Sequence, residues 1–293
     1  MHNYLKSIGF RDIKTSNDLD DLIADVLMNH DHKKVVETED GQVFAEISKE
    51  YAMDMGITVC GIYDEENLFH IEYYYPYFIG SQVTSCHHMS IEKRISQEAY
   101  SGACDDVRVG TMLIFYLLNA ADYIRASQEE KHPEKNASIS YSAMVARGLI
   151  LLPVEKTPAQ AMRNQKKIEK KNNLYLAAAN GDESAMESLT MDDIDVYSMI
   201  SRRIQKKEDV YTIVDSYFMP YGFECDLYNV MGEITGCREV RNMATNEKVY
   251  HLNLVCNGIP MDLCASEKDL TGIPEVGRRF KGIIWMQGYA HFV

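Results

Sequence analysis

The sequence predicts an α+β chain in three parts: an amino-terminal antiparallel-sheet domain with flanking helices over residues 1–154, a helical connector over 155–209, and a small β-barrel (OB-like) domain over 210–293. Three observations lead there. Apolar residues alternate with a period of two over most of the first half and the last third, the spacing of strands with one covered face. Helix start and stop signals are concentrated in the middle. Glycines sit inside the long strand-like runs near the carboxyl terminus, where a small barrel bends sharply. At 293 residues, with 46% hydrophobic and 25% charged side chains, the chain can bury cores of ordinary size, and disorder or a fibre is excluded.

From the amino terminus, Asn17 to Met28 sets Leu19, Leu22, Ile23, Val26 and Leu27 on one helical face, behind Asn17 as cap and with acids in the first turn, where the helix dipole favours them. Strands follow at Val43–Lys49, Gly56–Tyr63 and Leu68–Phe78, the last two joined by the polar connection Asp64–Asn67. Met89–Ser96 reads as a strand. Val107–Leu118 is apolar on both faces, as a covered central strand would be, or turns helical in its second half and runs on to Arg125. Ser127–Asn136 is a polar loop, and Ile139–Val154 a strand bent at Gly148.

In the connector, Thr157, Pro158 and Gln160 form a helix start, and Asn180-Gly181 a stop. Asp182–Ser188 is a short helix, and Thr190–Asp193 opens a third through Ile194, Tyr197, Ile200 and Ile204. The period of two then returns in Tyr228–Val240, Lys248–Cys256, Ile259–Ala265 and Arg279–Phe292. Asn257-Gly258 predicts a tight type I′ hairpin, and Ser266–Gly277 leaves room for one helical turn. The last segment, 211–293, is expected to make a compact antiparallel barrel with Trp285 buried in it.

The formal charge is −14, and it is uneven: 13 basic and 24 acidic residues precede Pro153, 10 of each lie between Pro153 and Val210, and 7 and 10 follow. A surface of this sign repels phosphate backbones and anionic lipid, so neither nucleic acid nor membrane is expected as a general partner. Seven cysteines, an odd number with no CxxC pair, do not read as a disulfide framework, and all seven are expected reduced. The start MHNYLKSIGF lacks a signal-peptide pattern, and the longest strongly apolar stretch, Met112–Leu118, is far short of a membrane helix. A cytoplasmic protein is expected.

The stretches EDVYTIVDSYFMPYG (Glu208–Gly222), GIYDEENLFHIEYYYPYF (Gly61–Phe78) and GRRFKGIIWMQG (Gly277–Gly288) resemble those of a bacterial family catalogued only as a domain of unknown function, number 3881. The resemblance covers essentially the whole chain. It implies a cytosolic bacterial protein and brings no activity, cofactor or catalytic residue with it.

Among motifs that carry chemistry, the sequence has no GxxxxGK(S/T) phosphate loop, no GxGxxG fingerprint, no HExxH and no GxSxG elbow. Cys86-His87-His88 is the densest group of soft ligands, yet neighbours on a strand point to opposite faces, and no second pair completes a site. His30-Asp31-His32 follows a helix end, where a cationic imidazole complements the dipole. No metal and no cofactor are therefore expected. Cys104-Asp105-Asp106 reads as a turn entering a buried strand, although paired carboxylates could also hold a hard cation.

The run Tyr73-Tyr74-Tyr75-Pro76-Tyr77-Phe78 is the most unusual. On a strand Tyr73, Tyr75 and Tyr77 share a face, and Pro76 requires an edge or an end. Tyrosine offers apolar area with a polar handle, which suits a core rim or a recognition surface. Lys166 to Lys171, Arg202-Arg203 and Lys206-Lys207 make the connector locally basic. In the last segment Arg278, Arg279 and Lys281 with Trp285 and Tyr289 echo single-strand-binding barrels, against a segment that is net acidic.

The leading expectation is a non-catalytic binding or adaptor protein, holding a protein or small-molecule partner on Tyr73, Tyr75 and Tyr77 or on a barrel face bearing Arg278, Arg279 and Tyr289. The alternatives are an enzyme whose site uses Cys104, Asp105, Asp106 and His88, with His88 as base to the thiol, and nucleic-acid binding through the barrel.

Overall fold

The computed structural model describes residues 2–85, 89–94, 98–106, 111–153, 214–222 and 225–292, with isolated positions between 170 and 205. Helix α1 is Ser16–Met28. Its cap is Thr15 rather than Asn17: the Thr15 side chain accepts from the Asp18 amide while the Asp18 carboxylate accepts from that of Thr15. This is a capping box with Asp in the usual Glu position. Leu22 and Val26 turn inward, as the periodicity predicts.

Four strands follow, β1 His32–Glu37, β2 Val43–Ala52, β3 Met55–Tyr63 and β4 Phe69–Phe78, and they form an antiparallel sheet in chain order. The β3–β4 turn is closed by Asp64, whose Oδ1 accepts from the Glu66 and Leu68 amides. Because β4 is an edge, Pro76 removes no ladder bond there. Strand β1 is absent from the sequence expectation, since HKKVVE offers too few apolar residues to show a period, and His32 opens it instead of merely trailing α1.

The second sheet takes β5 Val83–Ser85, β6 Met89–Lys93, β7 Tyr100–Asp106 and β8 Thr111–Leu117. Helix α2, Ala120–Glu129, follows β8, so both readings of the apolar run 107–125 are partly realised. It extends into the expected loop, which also holds a 3-10 turn at Pro133–Asn136. Then come β9 Ser138–Leu151, β10 Tyr217–Pro220, β11 Leu227–Arg241, β12 Lys248–Cys256, β13 Ile259–Ser266, β14 Leu270–Thr271 and β15 Arg279–His291. A 3-10 turn at Glu267–Asp269 fills the space predicted between β13 and β15.

Strands β11, β12, β13, β9 and β15 pair in that order, and β15 returns to β11, closing a five-strand barrel. Two features depart from the expected antiparallel barrel of residues 211–293. The fifth strand is β9, from before the connector, and it runs parallel to β13. Beyond closure, β15 also pairs in parallel with β8, which carries the sheet on to β7 and β6. The Asn257-Gly258 turn has positive φ at both residues, 51° and 80°, as a type I′ hairpin requires. Gly282 marks a close crossing: a Cβ there would lie 2.4 Å from the Arg147 carbonyl oxygen.

A single apolar core runs from Val26 beneath α1, through Ile57 and Val59 of β3 and Phe115 of β8, to Tyr141, Leu252 and Ile284 of the barrel. Of the connector, Asp182 caps the helical residues 183–185 by accepting from the Ser184 and Ala185 amides. The helices expected from Thr157 and Thr190, with the basic groups at 166–171 and 202–207, lie outside the described residues apart from single positions. Among the described residues no helix is long and apolar enough to cross a membrane.

Candidate functional site

Where the two sheets meet the amino-terminal segment, a cavity of about 710 Å³ opens, a size that suits a small organic ligand. One wall is Trp285 of β15, which is 5% exposed, in line with its expected burial. Its ring stacks on Tyr4 with centroids 5.3 Å apart and planes at 27°, and it meets Tyr116 of β8 at 5.3 Å and His2 at 4.7 Å. The facing wall comes from the edge strand β4, which places Tyr73, Tyr74 and Tyr75 in the lining. Each phenol is anchored: Tyr73 donates to the Glu98 carbonyl at 2.7 Å, Tyr75 to that of Leu118 at 2.9 Å, and Tyr74 accepts from the His2 amide at 2.8 Å. Burial raises the pKa of all three, so they remain protonated donors at neutral pH.

The polar part of the cavity is small and ordered. Arg94, just after β6, donates from Nη2 to Asp226 Oδ2 at 2.7 Å and from Nε to Ser101 Oγ at 2.8 Å. Its guanidinium carbon lies 5.1 Å from the centre of the Tyr116 ring, a cation–π contact. Asp226, 6% exposed, accepts a second hydrogen bond at the same oxygen from Trp285 Nε1, at 3.1 Å. Burial lowers the His2 imidazole to about 4, so it is neutral at pH 7. Rings of this kind can take a flat molecule by stacking, and the Arg94–Asp226 pair supplies the charged groups beside them. The Ser101 hydroxyl accepts from the Arg94 guanidinium.

A second cavity, of about 100 Å³, lies beside Phe78 and His251. Asp262 anchors it by accepting from the Ser81 amide, Ser81 Oγ, Gln82 Nε2 and Asn253 Nδ2. This network ties the segment after β4 to the barrel and reads as structural. Elsewhere Ser140 Oγ lies 2.9 Å from His291 Nε2, the spacing of a nucleophile and its base, but Ser140 is 1% exposed and lines neither cavity.

Of the residues singled out in the sequence, Tyr73 and Tyr75 line the large cavity. Tyr77 does not: it is buried over Gly56, where an added Cβ would lie 2.7 Å from its hydroxyl. Arg278 pairs with Glu275 at 2.9 Å, Arg279 gives its guanidinium to the Leu152 and Val214 carbonyls, and Tyr289 donates to Asp122 at 3.3 Å. His88, with Cys86 and His87, lies outside the described residues. Cys104, Asp105 and Asp106 are not a turn but the end of β7, paired with Leu113, Met112 and Thr111. Asp105 faces out while Cys104 is buried, so the strand's alternation separates the Asp105 carboxylate from the Cys104 sulfur.

The expectation that all seven cysteines are reduced is corrected at Cys104, which is disulfide-bonded to a partner outside the described residues. Cys60, Cys225, Cys237, Cys256 and Cys264 are free. Among the described residues no group of three or more His, Cys, Asp or Glu side chains could hold a metal ion.

The profile of the family described as "Domain of unknown function, E. rectale Gene description (DUF3881)" matches residues 5–288. The chain belongs to this family. The resemblance carried by Gly61–Phe78, Glu208–Gly222 and Gly277–Gly288 is thereby borne out. No curated protein and no solved structure matches the chain. The DUF3881 match includes every lining residue named above except His2 and Tyr4, which precede it. Sequence reasoning missed those two together with Arg94, Ser101, Tyr116 and Asp226. The tyrosine run and Trp285 were the local signals that fall in the cavity.

Proposed function

We propose that this DUF3881 protein is a non-catalytic binding protein that holds a flat small molecule in the aromatic cavity. The observation that carries the proposal is the convergence of Tyr4, Tyr73, Tyr74, Tyr75, Tyr116 and Trp285 on one space of about 710 Å³. Rings of this kind bury large apolar area at little entropic cost and favour stacking or edge contacts with another ring. The anchored phenols support preorganisation, because the walls need not be ordered by the ligand. Engagement of Arg279 with backbone carbonyls favours the small-molecule reading over nucleic-acid binding through the barrel.

Two isosteric flat probes test the proposal by calorimetry, neutral 2-naphthylmethanol and anionic 2-naphthoate. At least one should bind with one-to-one stoichiometry, and Tyr73→Ala, which removes part of a wall without emptying the deep core, should weaken it by about tenfold or more. No binding of either probe at millimolar concentration, or binding that Tyr73→Ala leaves unchanged, would count against it.

A cytosolic location is part of the proposal. The five free thiols support it and the Cys104 disulfide weighs against it. Alkylation of freshly lysed cells under denaturing conditions tests this: in the cytosol Cys60, Cys225, Cys237, Cys256 and Cys264 should all be labelled before any reductant is added, and labelling of any of them only after reduction would contradict that location.

A further inference from the structure

Among the described residues the ionised groups in the lining of the aromatic cavity are two, Arg94 and Asp226. They are not presented equally. The Arg94 side chain is 43% exposed and the Asp226 side chain 9%. Asp226 Oδ2 is already shared by Arg94 Nη2 and Trp285 Nε1, so the carboxylate acts as a bracket holding the guanidinium and the indole in register. The guanidinium, by contrast, keeps donors in hand. Its Nε is taken by Ser101 and one Nη2 hydrogen by Asp226, while Nη1 has no partner among the described residues. Among the described residues an incoming molecule therefore meets a cation with N–H groups that no other group takes, while the compensating anion is the more deeply buried of the two.

Tyr116 fixes the distance between this donor and the stacking wall. Its ring centre lies 5.1 Å from the guanidinium carbon and 5.3 Å from the Trp285 ring. One side chain thus links the apolar surface that would take a ring and the charge that would take a substituent. Arginine's planar fork suits a carboxylate, and a charge-assisted bond is stronger than a neutral one. A doubly charged phosphate fits less well, since the lining holds one cation and that cation is half-compensated by Asp226.

We propose that the ligand of this cavity is a flat aromatic acid, with its ring against Trp285 and its carboxylate on the free Nη1 edge of Arg94. This rests on the binding proposal above and sharpens it. Arg94 is then the specificity-determining residue, and Asp226 a positioning residue that acts through it.

The test compares 2-naphthoate, 2-naphthylmethanol and 2-naphthyl phosphate on the full chain. The carboxylate should bind about tenfold or more tightly than the alcohol, and more tightly than the phosphate. Arg94→Met should abolish that preference, so that acid and alcohol bind alike, and Arg94→Lys should keep part of it. Because Arg94→Met strips a buried carboxylate of its partner, the double variant Arg94→Met/Asp226→Asn is measured beside it; it too should bind acid and alcohol alike. Equal affinity of wild type for acid and alcohol, or a preference that survives in the double variant, overturns the inference while leaving cavity binding intact. Tighter binding of the phosphate overturns the carboxylate assignment. If no probe binds at all, the binding proposal itself fails and this inference falls with it.

Discussion

Phe115→Ala should lower the unfolding free energy by about 3–5 kcal/mol, the range for emptying a fully buried aromatic site that cannot collapse. Phe115 is completely buried on β8, at the junction where the barrel becomes the outlying sheet. Its ring lies over glycine on both neighbouring strands: a Cβ on Gly102 of β7 would come within 2.0 Å of it, and one on Gly288 of β15 within 2.5 Å. It also meets Tyr141 of β9 edge to face at 5.6 Å. Loss of the ring therefore leaves a void with two bare backbones for walls, and strand pairing prevents those backbones from closing it. The reverse change, Gly102→Ala, should overpack the wild type at a cost of about 1–3 kcal/mol. In the Phe115→Ala background the same methyl fills empty space, so the double variant should be more stable than additivity predicts. Denaturant unfolding of the four proteins checks both statements, and strict additivity would contradict the packing described.

Glu46→Gln should stabilise the protein at pH 8 and remove a pH dependence that the wild type shows. Glu46 sits on β2 opposite Lys34, with its Oε1 accepting from the Ala120 amide at the start of α2, 3.0 Å away. Burial drives its pKa up to about 7, against the pull of Lys34 and the helix amides, because Lys34 spends its charge on Asp122. A carboxyl whose folded pKa is raised holds a proton in the native state that the unfolded chain has released. Stability contributed by that group is therefore present below pH 4.5 and is lost as pH rises towards 7. The difference corresponds to roughly 3 kcal/mol at pH 8. The substituted amide would keep the acceptor for the Ala120 N–H and carry no charge. The stability gap between Glu46→Gln and wild type should widen between pH 4.5 and 7 and level off above; a constant gap would show that burial of Glu46 is not costing the ionised state.

The strands of the barrel were legible because each has its own local signal. Val249, Leu252, Leu254 and Cys256 are fully buried on β12, and the Asn257-Gly258 turn sets its register against β13. The parallel pairing of β13 with β9 was not legible, since more than a hundred residues separate the strands and no local pattern records which edge a strand joins. β7 was missed for a different reason: Asp105-Asp106 are turn formers by propensity, and here cross-strand pairing with β8 overrides propensity. The cavity draws on segments around His2, Tyr74, Arg94, Tyr116, Asp226 and Trp285. Of these, the tyrosine run and the single tryptophan, Trp285, stand out in the sequence. A lone Arg or Asp carries no spacing from which a neighbour could be inferred, so the Arg94–Asp226 pair exists only in the fold.

The chain has a single tryptophan, so its indole N–H gives one resonance in a nitrogen–proton correlation spectrum, and that proton is the one donated to Asp226 inside the cavity. Titration of isotope-labelled protein with 2-naphthoate should shift this resonance progressively and saturably, through ring currents from a molecule stacked on Trp285, with the same midpoint as calorimetry. If the probe binds by calorimetry while the indole resonance stays where it was, the molecule is held elsewhere on the protein and the aromatic cavity is not its binding site.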